Sequence, residues 1–234
     1  TGGCRAYNFE GNSTVNFSGG TILKSIAGGN GPDGRSFTGN STLNLTGGTV
    51  EYLSTAAGVV GGSVGASGGE AYTFSGTIAL NIGGNVQIYS TVLGASRYTN
   101  IKTEADITVK VFGNAVLYRH LYGGGYGNVS GTIDVTLSDN AQFVQLASSS
   151  TFVCAGANSG TVTGDVSITC DLSTTIYGNI YGGGYSGNVE GNSTATLKSG
   201  TITVYFSAGS RSGNVSGTAT TICLGGTLSN SAYA

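Results

Sequence analysis

The chain repeats one short strand-like pattern about eight times over its 234 residues. Each copy alternates apolar with polar residues and then meets a Gly-rich turn, as in STVNFSGGTI at 13–22 and STATLKSGTI at 193–202. The last apolar strand residue of each copy is an anchor, and these anchors are Phe17, Leu45, Ile82, Val111, Leu137, Cys170, Leu197 and Cys223. Successive anchors lie 28, 37, 29, 26, 33, 27 and 26 residues apart, which indicates a repeat of roughly 28 residues with two insertions.

The alternation within each copy restricts the fold that the repeat can form. Ile133, Val135 and Leu137 point to one side of a strand, and one copy cannot bury that side alone, so the copies must stack. A repeat of roughly 28 residues is too long for hexapeptide β-helix coils and too short for a propeller blade of about 40–45 residues. It fits a coil of three short strands and three turns. We therefore predict an all-β fold over residues 1–234, a single right-handed parallel β-helix (β-solenoid) of about eight coils.

Glycine and proline usage agrees with this prediction, since 43 residues are Gly and only 1 is Pro. Glycine reaches positive φ at tight corners, whereas proline would remove backbone N–H groups that interior coils donate to their neighbours. The Gly-Asn pairs are expected to form turns or stacked Asn ladders, and they lie at 11–12, 39–40, 127–128, 187–188, 191–192 and 213–214.

Charge and hydrophobicity limit the partners that the chain can have. Charged residues are 9%, hydrophobic residues are 38% and the net charge is −2, which argues against disorder and against binding to nucleic acid. No apolar run approaches the roughly 18 residues of a membrane-spanning helix, so we expect no membrane insertion. The chain starts at Thr1 without a signal peptide, and we expect a fragment of a longer exported protein, monomeric within that larger chain.

The two copies YGGGYGNVSGTIDVTL at 122–137 and YGGGYSGNVEGNSTATLKSGTI at 181–202 carry a family resemblance. They resemble the Gly-rich β-strand repeats, or β-helical regions, of large bacterial cell-surface and adhesin-like proteins. The resemblance covers most of the chain and rests on repeat style, not on a catalytic motif. It implies a secreted or cell-surface location in a bacterium. The leading hypothesis is therefore a non-catalytic module that binds a glycan or a host surface protein, or serves as a rigid stalk.

Four tyrosines are the candidate ligand-binding residues. Tyr122, Tyr126, Tyr181 and Tyr185 stand at equivalent places in copies two coils apart. A tyrosine ring has a flat apolar face and a polar tip, which suits contact with a sugar ring at a wet surface. The alternative is structural, with the rings closing corners and stacking one coil on another.

Three aspartates form the alternative candidate site. Asp106, Asp134 and Asp165 are predicted on the outward side of three consecutive coils, with Asp106 and Asp165 in one column and Asp134 displaced by two residues. Polysaccharide lyases and hydrolases with a β-helix fold use carboxylates on such a face for Ca²⁺ binding or acid–base chemistry. A polysaccharide-acting enzyme is therefore the alternative function, and solvated surface charge is the structural alternative.

The remaining polar residues give weaker signals. No cysteine pair has Cys-x-x-Cys spacing and His120 is the single histidine, so we expect no metal site, no cofactor and no catalysis at His120. Cys170 and Cys223 are expected to be buried in the anchor column, while Cys4 and Cys154 are left open. Rows of outward threonines also suggest an ice-binding protein as a further alternative: Thr14, Thr42, Thr108, Thr136, Thr169, Thr194 and Thr196. The insertions at 56–76 and 146–160 are further places where function is expected.

Overall fold

The computed structural model describes residues 1–33, 35–51, 57–65, 70–144 and 151–233. This part of the chain forms a β-solenoid of parallel stacked coils, with repeats of about 28 residues and about seven turns, which confirms the predicted fold class. It contains no helix, and so none that is long and apolar enough to cross a membrane. Its strands are β1 (Phe9–Glu10), β2 (Ser13–Phe17), β3 (Thr21–Ile22), β4 (Ile26–Ala27), β5 (Phe37–Thr38), β6 (Ser41–Leu45), β7 (Thr49–Val50), β8 (Ala57–Val60), β9 (Tyr72–Ile82), β10 (Gln87–Ile88), β11 (Thr91–Leu93), β12 (Ile101–Val111), β13 (Val116–Leu117), β14 (Leu121–Tyr122), β15 (Ile133–Asp139), β16 (Gln142–Phe143), β17 (Thr151–Cys154), β18 (Thr161–Val162), β19 (Val166–Ile176), β20 (Gly178–Tyr181), β21 (Asn188–Val189), β22 (Ser193–Ile202), β23 (Tyr205–Ser207), β24 (Ala219–Cys223), β25 (Thr227–Leu228) and β26 (Ser231–Tyr233).

The coils carry up to four strand segments, which we call faces 1 to 4 in chain order. Face 1 contains β1, β5, β18, β21 and the first residues of β9 and β12. Face 2 contains β2, β6, β15, β24 and most of β9, β12, β19 and β22. Face 3 contains β3, β7, β10, β13, β16, β25 and the last residues of β19 and β22. Face 4 is the eight-stranded sheet of β4, β8, β11, β14, β17, β20, β23 and β26.

The prediction of three strands per coil holds where β9 and β12 run continuously through faces 1 and 2, whereas the first two coils have four separate strands. A corner divides the predicted first strand into faces 1 and 2, and Gly39 and Gly76 stand at this corner with φ of +135° and +133°. A Cβ atom on Gly76 would collide with the carbonyl oxygen of Gly39 in the coil below. Only glycine combines this backbone conformation with such close stacking, so a short Gly-containing sequence can bend the strand.

The register between coils agrees with the sequence anchors throughout. All seven pairs of successive anchors lie opposite one another on face 2: Phe17 with Leu45, Leu45 with Ile82, Ile82 with Val111, Val111 with Leu137, Leu137 with Cys170, Cys170 with Leu197, and Leu197 with Cys223. The two insertions leave this register unchanged because the extra residues lie outside face 2. The apolar spacing therefore sets which side of each strand is buried.

The core is a single column of apolar side chains that runs through the stack. Leu80 and Val109, one above the other on face 2, are fully buried. On face 1 the rings of Phe9, Phe37 and Phe74 are stacked, with centroids 4.9 and 4.5 Å apart. Full burial of one such side chain contributes about 1.5–3 kcal/mol, so coil-on-coil packing is the main source of stability.

Polar side chains also join the coils, and several Gly-Asn pairs do so directly. At the corners, the Oδ1 atoms of Asn12, Asn128, Asn188 and Asn192 accept hydrogen bonds from backbone N–H groups one coil away, at 2.9 Å in each case. On the outward side of face 2, Asn16, Asn44 and Asn81 form an amide ladder with hydrogen bonds of 2.7 and 2.8 Å. These contacts supply partners for polar groups where the backbone bends.

Candidate functional site: the aromatic surface of face 4

Face 4 differs from the other faces because its strands are apolar on both sides. Its inward residues, such as Val92 and Val153, join the main core. From β4 to β17 its outward column is also buried, and it forms a second apolar cluster with Val64: Ala27, Val60, Leu93, Tyr122 and Cys154. Tyr98, Tyr126, Phe152, Tyr181 and Tyr185 pack against this cluster. Strands on this side therefore carry an outer aromatic layer in addition to the core.

The repeated tyrosines occupy unequal positions in this layer. Tyr122 and Tyr181 pair with Cys154 from opposite sides, so they stand in one column two coils apart, as the repeat predicts. Tyr122 is only 3% exposed and its ring meets that of Tyr185 edge-on at 5.9 Å. Burial raises the pKa of Tyr122 well above its usual range. Tyr122 is thus a packing residue that a ligand cannot reach, whereas Tyr126, Tyr181 and Tyr185 are half-buried.

A tyrosine groove of about 400 Å³ lies on the outer surface of face 4 and is lined by Tyr181, Tyr205, Ser207, Gly209, Ser210 and Tyr233. The three rings come from β20, β23 and β26, which are successive strands of face 4. The rings of Tyr205 and Tyr233 lie 5.8 Å apart, and both residues are exposed. The groove therefore offers apolar ring faces together with hydroxyl and backbone groups.

Tyr181 is a predicted site residue, whereas Tyr205 and Tyr233 are not among the predicted residues. The signal was present in the repeat, because Tyr181, Ser207 and Tyr233 occupy one column of successive coils. Tyr205 begins its strand, and it lies on the outward side of face 4 like Tyr181. An alignment of the short strands of face 4, in addition to those of face 2, would have found this set.

Arg211 lies beside the groove and directly follows Ser210, which lines it. Its guanidinium carbon stands 4.4 Å from the centroid of the Tyr185 ring and 5.1 Å from that of Phe152. Burial raises the pKa of Tyr181, and the positive charge of Arg211 opposes this shift. The positive charge of Arg211 therefore acts on Tyr181, which lines the groove.

His120 has a structural partner at the margin of the aromatic layer. Its Nδ1 accepts a hydrogen bond of 3.1 Å from the backbone N–H of Phe152, and its ring lies 5.3 Å from the Phe152 ring. Burial and the charge of Arg119 lower the pKa of His120. These contacts favour a neutral imidazole that accepts through Nδ1.

The three aspartates lie on the outer surface, two of them at the corner that leads into face 2 and one on face 2 itself. Asp106 and Asp165 share a corner column with Thr132 between them, and Asp134 stands on face 2 beside Ser167. Asp134 and Asp165 line a depression of about 260 Å³. The described residues include no group of three His, Cys, Asp or Glu side chains that could hold a metal ion.

Each of these carboxylates already accepts hydrogen bonds from the next coil. Asp106 accepts from the backbone N–H and the hydroxyl of Thr132, both at 2.8 Å, and these bonds lower its pKa. Asp165 accepts from the backbone N–H of Asn192 at 2.7 Å, and Asp134 from the hydroxyl of Ser167 at 2.6 Å. The corner aspartates thus make the same contact that asparagine makes in other coils.

The predicted threonine rows stand in two neighbouring columns. Thr14, Thr42, Thr108 and Thr194 share one outward column of face 2, and Thr136, Thr169 and Thr196 share the next. Ala79, Asp134 and Lys110 interrupt these columns, and ice binding stays a prediction.

All four cysteines are free thiols. Cys154 and Cys170 are buried, and Cys4 is partly buried. Cys223 is exposed, contrary to the prediction, because no further coil of the described chain packs on it. The insertions predicted at 56–76 and 146–160 lie partly outside the described residues.

The fold and this surface define a parallel β-solenoid with an outer aromatic layer on one side. The chain matches no protein-family model, and neither a curated protein nor a solved structure matches it.

Proposed function

We propose that this chain is a non-catalytic β-solenoid module of a bacterial surface protein and that it binds a glycan in the tyrosine groove. The observation that carries the proposal is the convergence of the Tyr181, Tyr205 and Tyr233 rings from three successive coils. Coils are spaced by roughly 4.8 Å, so one sugar chain laid across the coils would meet more than one ring. The style of the repeats supports the bacterial surface origin.

The chemistry of the groove favours sugar over other ligands. Its lining consists of tyrosine, serine and glycine, so apolar ring faces stand next to hydroxyl groups and backbone amides. Aromatic faces pack on the C–H surface of a pyranose ring, and hydroxyls exchange hydrogen bonds with those of the sugar. A lining without a carboxylate or imidazole supports binding without turnover.

A rigid stalk is compatible with the same architecture, because coil-to-coil contacts run along the whole stack. In a solenoid each coil depends mainly on its neighbours. We expect a chain shortened before β24 to keep its remaining coils folded, as measured by circular dichroism. Complete loss of strand signal in the shortened chain would contradict this organisation.

A polysaccharide-acting enzyme is the second candidate, and the depression beside Asp134 and Asp165 favours it. Release of reducing ends from a polysaccharide panel by the full chain would support an enzyme. Loss of that release in both Asp134→Ala and Asp165→Ala would place the reaction in this depression. Release that survives both substitutions would remove the depression as its site.

Glycan-array binding with two matched tyrosine variants tests the leading proposal. Tyr205→Ala removes an exposed ring from the groove, whereas Tyr177→Ala removes an exposed ring that does not line it. We expect saturable binding to one glycan class, weaker by about tenfold in Tyr205→Ala and unchanged in Tyr177→Ala. A silent array would overturn glycan binding, and equal loss in both variants would move the site away from the groove.

A further inference from the structure

We infer that the ligand of the tyrosine groove is an acidic oligosaccharide whose carboxylate pairs with Arg211. The inference rests on the proposed glycan binding and adds the chemical class of the sugar. It covers uronic acids and sialic acids, which share one negatively charged carboxylate on a sugar ring.

Arg211 is exposed, yet its guanidinium is held in place by two rings. Its guanidinium carbon lies over the Tyr185 ring, 4.4 Å from the centroid, and 5.1 Å from the centroid of the Phe152 ring, whose plane is nearly perpendicular to that of Tyr185. The backbone N–H of Arg211 donates to the carbonyl oxygen of Gly184 at 2.9 Å. A guanidinium that stacks through its face keeps its N–H edge available for hydrogen bonds. The stacking also lowers the conformational entropy that the side chain would lose when it binds a ligand.

Arg211 has no carboxylate partner inside the described part of the chain. Three other basic residues there pair with carboxylates: Arg5 with Asp33, Arg35 with Glu70, and Lys102 with Glu104. Arg211 has neither an ion pair nor a side-chain hydrogen bond among the described residues. An oriented and unpaired guanidinium next to a groove is suited to an anionic group on the ligand.

The position of Arg211 relative to the rings selects a charged sugar over a simple anion. The guanidinium lies over the Tyr185 ring and its charge acts on Tyr181, which lines the groove, so the cation stands at the Tyr181 end of the groove. A sugar ring packed on Tyr181 or Tyr205 would bring a ring carboxylate toward the guanidinium. Planar carboxylates and guanidinium groups form paired parallel hydrogen bonds, which adds geometric selectivity to charge attraction.

Matched acidic and neutral sugars test the inference directly. The probes are trigalacturonic acid with its methyl ester, 3′-sialyllactose with lactose, and a sulfated lactose, titrated into the full chain by calorimetry. We expect one acidic sugar to bind about tenfold more tightly than its neutral partner, with the difference shrinking as salt is raised. Arg211→Gln is expected to remove this preference while leaving the neutral sugar bound as before.

Two variants control for charge and for packing. Lys198→Gln removes the same charge from an exposed position of face 2 and is expected to keep the preference. Arg211→Lys keeps the charge but loses the planar group, and an intermediate preference is expected. It also provides the comparison if Arg211→Gln lowers the melting temperature.

The possible outcomes separate the two proposals. Equal affinity for acidic and neutral sugars, unchanged in Arg211→Gln, would overturn the acidic class and leave glycan binding intact. Preference for the sulfated sugar over both carboxylated ones would overturn the carboxylate assignment. Failure of every sugar to bind, here and on the array, would overturn both proposals together.

Discussion

Faces 2 and 4 belong to the same coils but use their outward side chains in opposite ways. On face 2, the amides of Asn16, Asn44 and Asn81 hydrogen-bond to one another from coil to coil. On face 4, the outward column from β4 to β17 is apolar and buried, and aromatic side chains pack against it. The outermost groups of face 4 include exposed tyrosines and Arg211, which has no ion pair among the described residues.

The contrast distinguishes a surface that joins the coils from the surface that is proposed to bind a ligand. A polar side chain that stands in register with its neighbours satisfies its hydrogen bonds within the stack. The groove tyrosines of β20, β23 and β26 also stand in register, but among the described residues no hydrogen bond joins their hydroxyls to the next coil. Whether polar side chains already have hydrogen-bond partners within the stack is therefore a better guide to a binding face than the presence of polar residues.

The largest expected effect is on the inward side of face 2. Leu80 is fully buried between Leu43 and Val109, so Leu80→Ala should lower the free energy of unfolding by about 3 kcal/mol. Thr108 lies on the outward side next to Ala79, so Thr108→Ala should change the free energy of unfolding by less than about 0.5 kcal/mol. Urea unfolding followed by circular dichroism measures both. Equal effects would contradict the assignment of the two sides.

The next effect tests whether the outer layer of face 4 is as dry as the core. Cys154 is outward on its strand yet fully buried. Cys154→Ser should therefore lower the free energy of unfolding by about 2 kcal/mol, because the buried serine hydroxyl would lack a hydrogen-bond partner. Cys223→Ser replaces an exposed thiol and should leave the free energy of unfolding nearly unchanged.

Thiol alkylation provides an independent measurement of the same layer. Burial raises the pKa of Cys170 to about 12 and that of Cys154 also well above its usual range. In the native protein, mass spectrometry should detect rapid labelling of Cys223 and protection of both buried thiols, because the thiolate is the reactive form. Labelling of Cys154 as fast as that of Cys223 would mean that the layer is open to water.

A smaller effect separates stability from binding. Asn44 donates to Asn16 and accepts from Asn81, so Asn44→Ala should lower the free energy of unfolding by about 1 kcal/mol. Glycan binding should be unchanged, because face 2 does not contribute to the groove. Tyr205→Ala should show the reverse pattern, with weaker binding and nearly unchanged urea unfolding. A loss of glycan binding in Asn44→Ala would break the division between the two faces.

The smallest effect is the pH dependence of one corner carboxylate. Hydrogen bonds from the N–H and hydroxyl of Thr132 lower the pKa of Asp106 from its ordinary value of 3.8. A lowered folded-state pKa means that this contribution to stability is full above the ordinary value and is lost as pH falls through the folded-state pKa. Asp106→Asn keeps an acceptor oxygen, as Asn192 shows with Thr218, but cannot titrate.

The melting temperature of Asp106→Asn should therefore fall slightly less steeply than that of the parent chain between about pH 4 and about pH 2. Thermal melts across this range measure the slope for both proteins. Asp106 is largely exposed, so the difference should be small. Parallel curves would mean that the hydrogen bonds from Thr132 do not lower the pKa of Asp106 in the folded protein.

Much of the fold could be predicted because it depends on features that are close in sequence. The anchors from Phe17 to Cys223 pair as their spacing predicts, and the column shared by Asp106 and Asp165 also follows from the spacing. The division between faces 1 and 2 was missed because Gly39 and Gly76 look like ordinary turn glycines in the sequence. Their role depends on contact with the coil below.

The candidate site was predicted only in part, and for a related reason. Strand alternation places Tyr122 and Cys154 on the outward side, which suggests exposure, yet both are buried under the aromatic layer. Tyr181 is predicted from the repeat, and Tyr205 and Tyr233 follow from aligning the short strands of face 4, whereas Arg211 is placed by the path of its loop.

The sequence by itself determined the stack, because strand alternation and repeat length act between each residue and its counterpart in the next coil. Only the tertiary structure decided which outward side is covered and which is left open. That choice depends on where the loops of Tyr126, Tyr185 and Arg211 return over face 4. The energy of such long-range packing is not carried by any local pattern of apolar and polar residues.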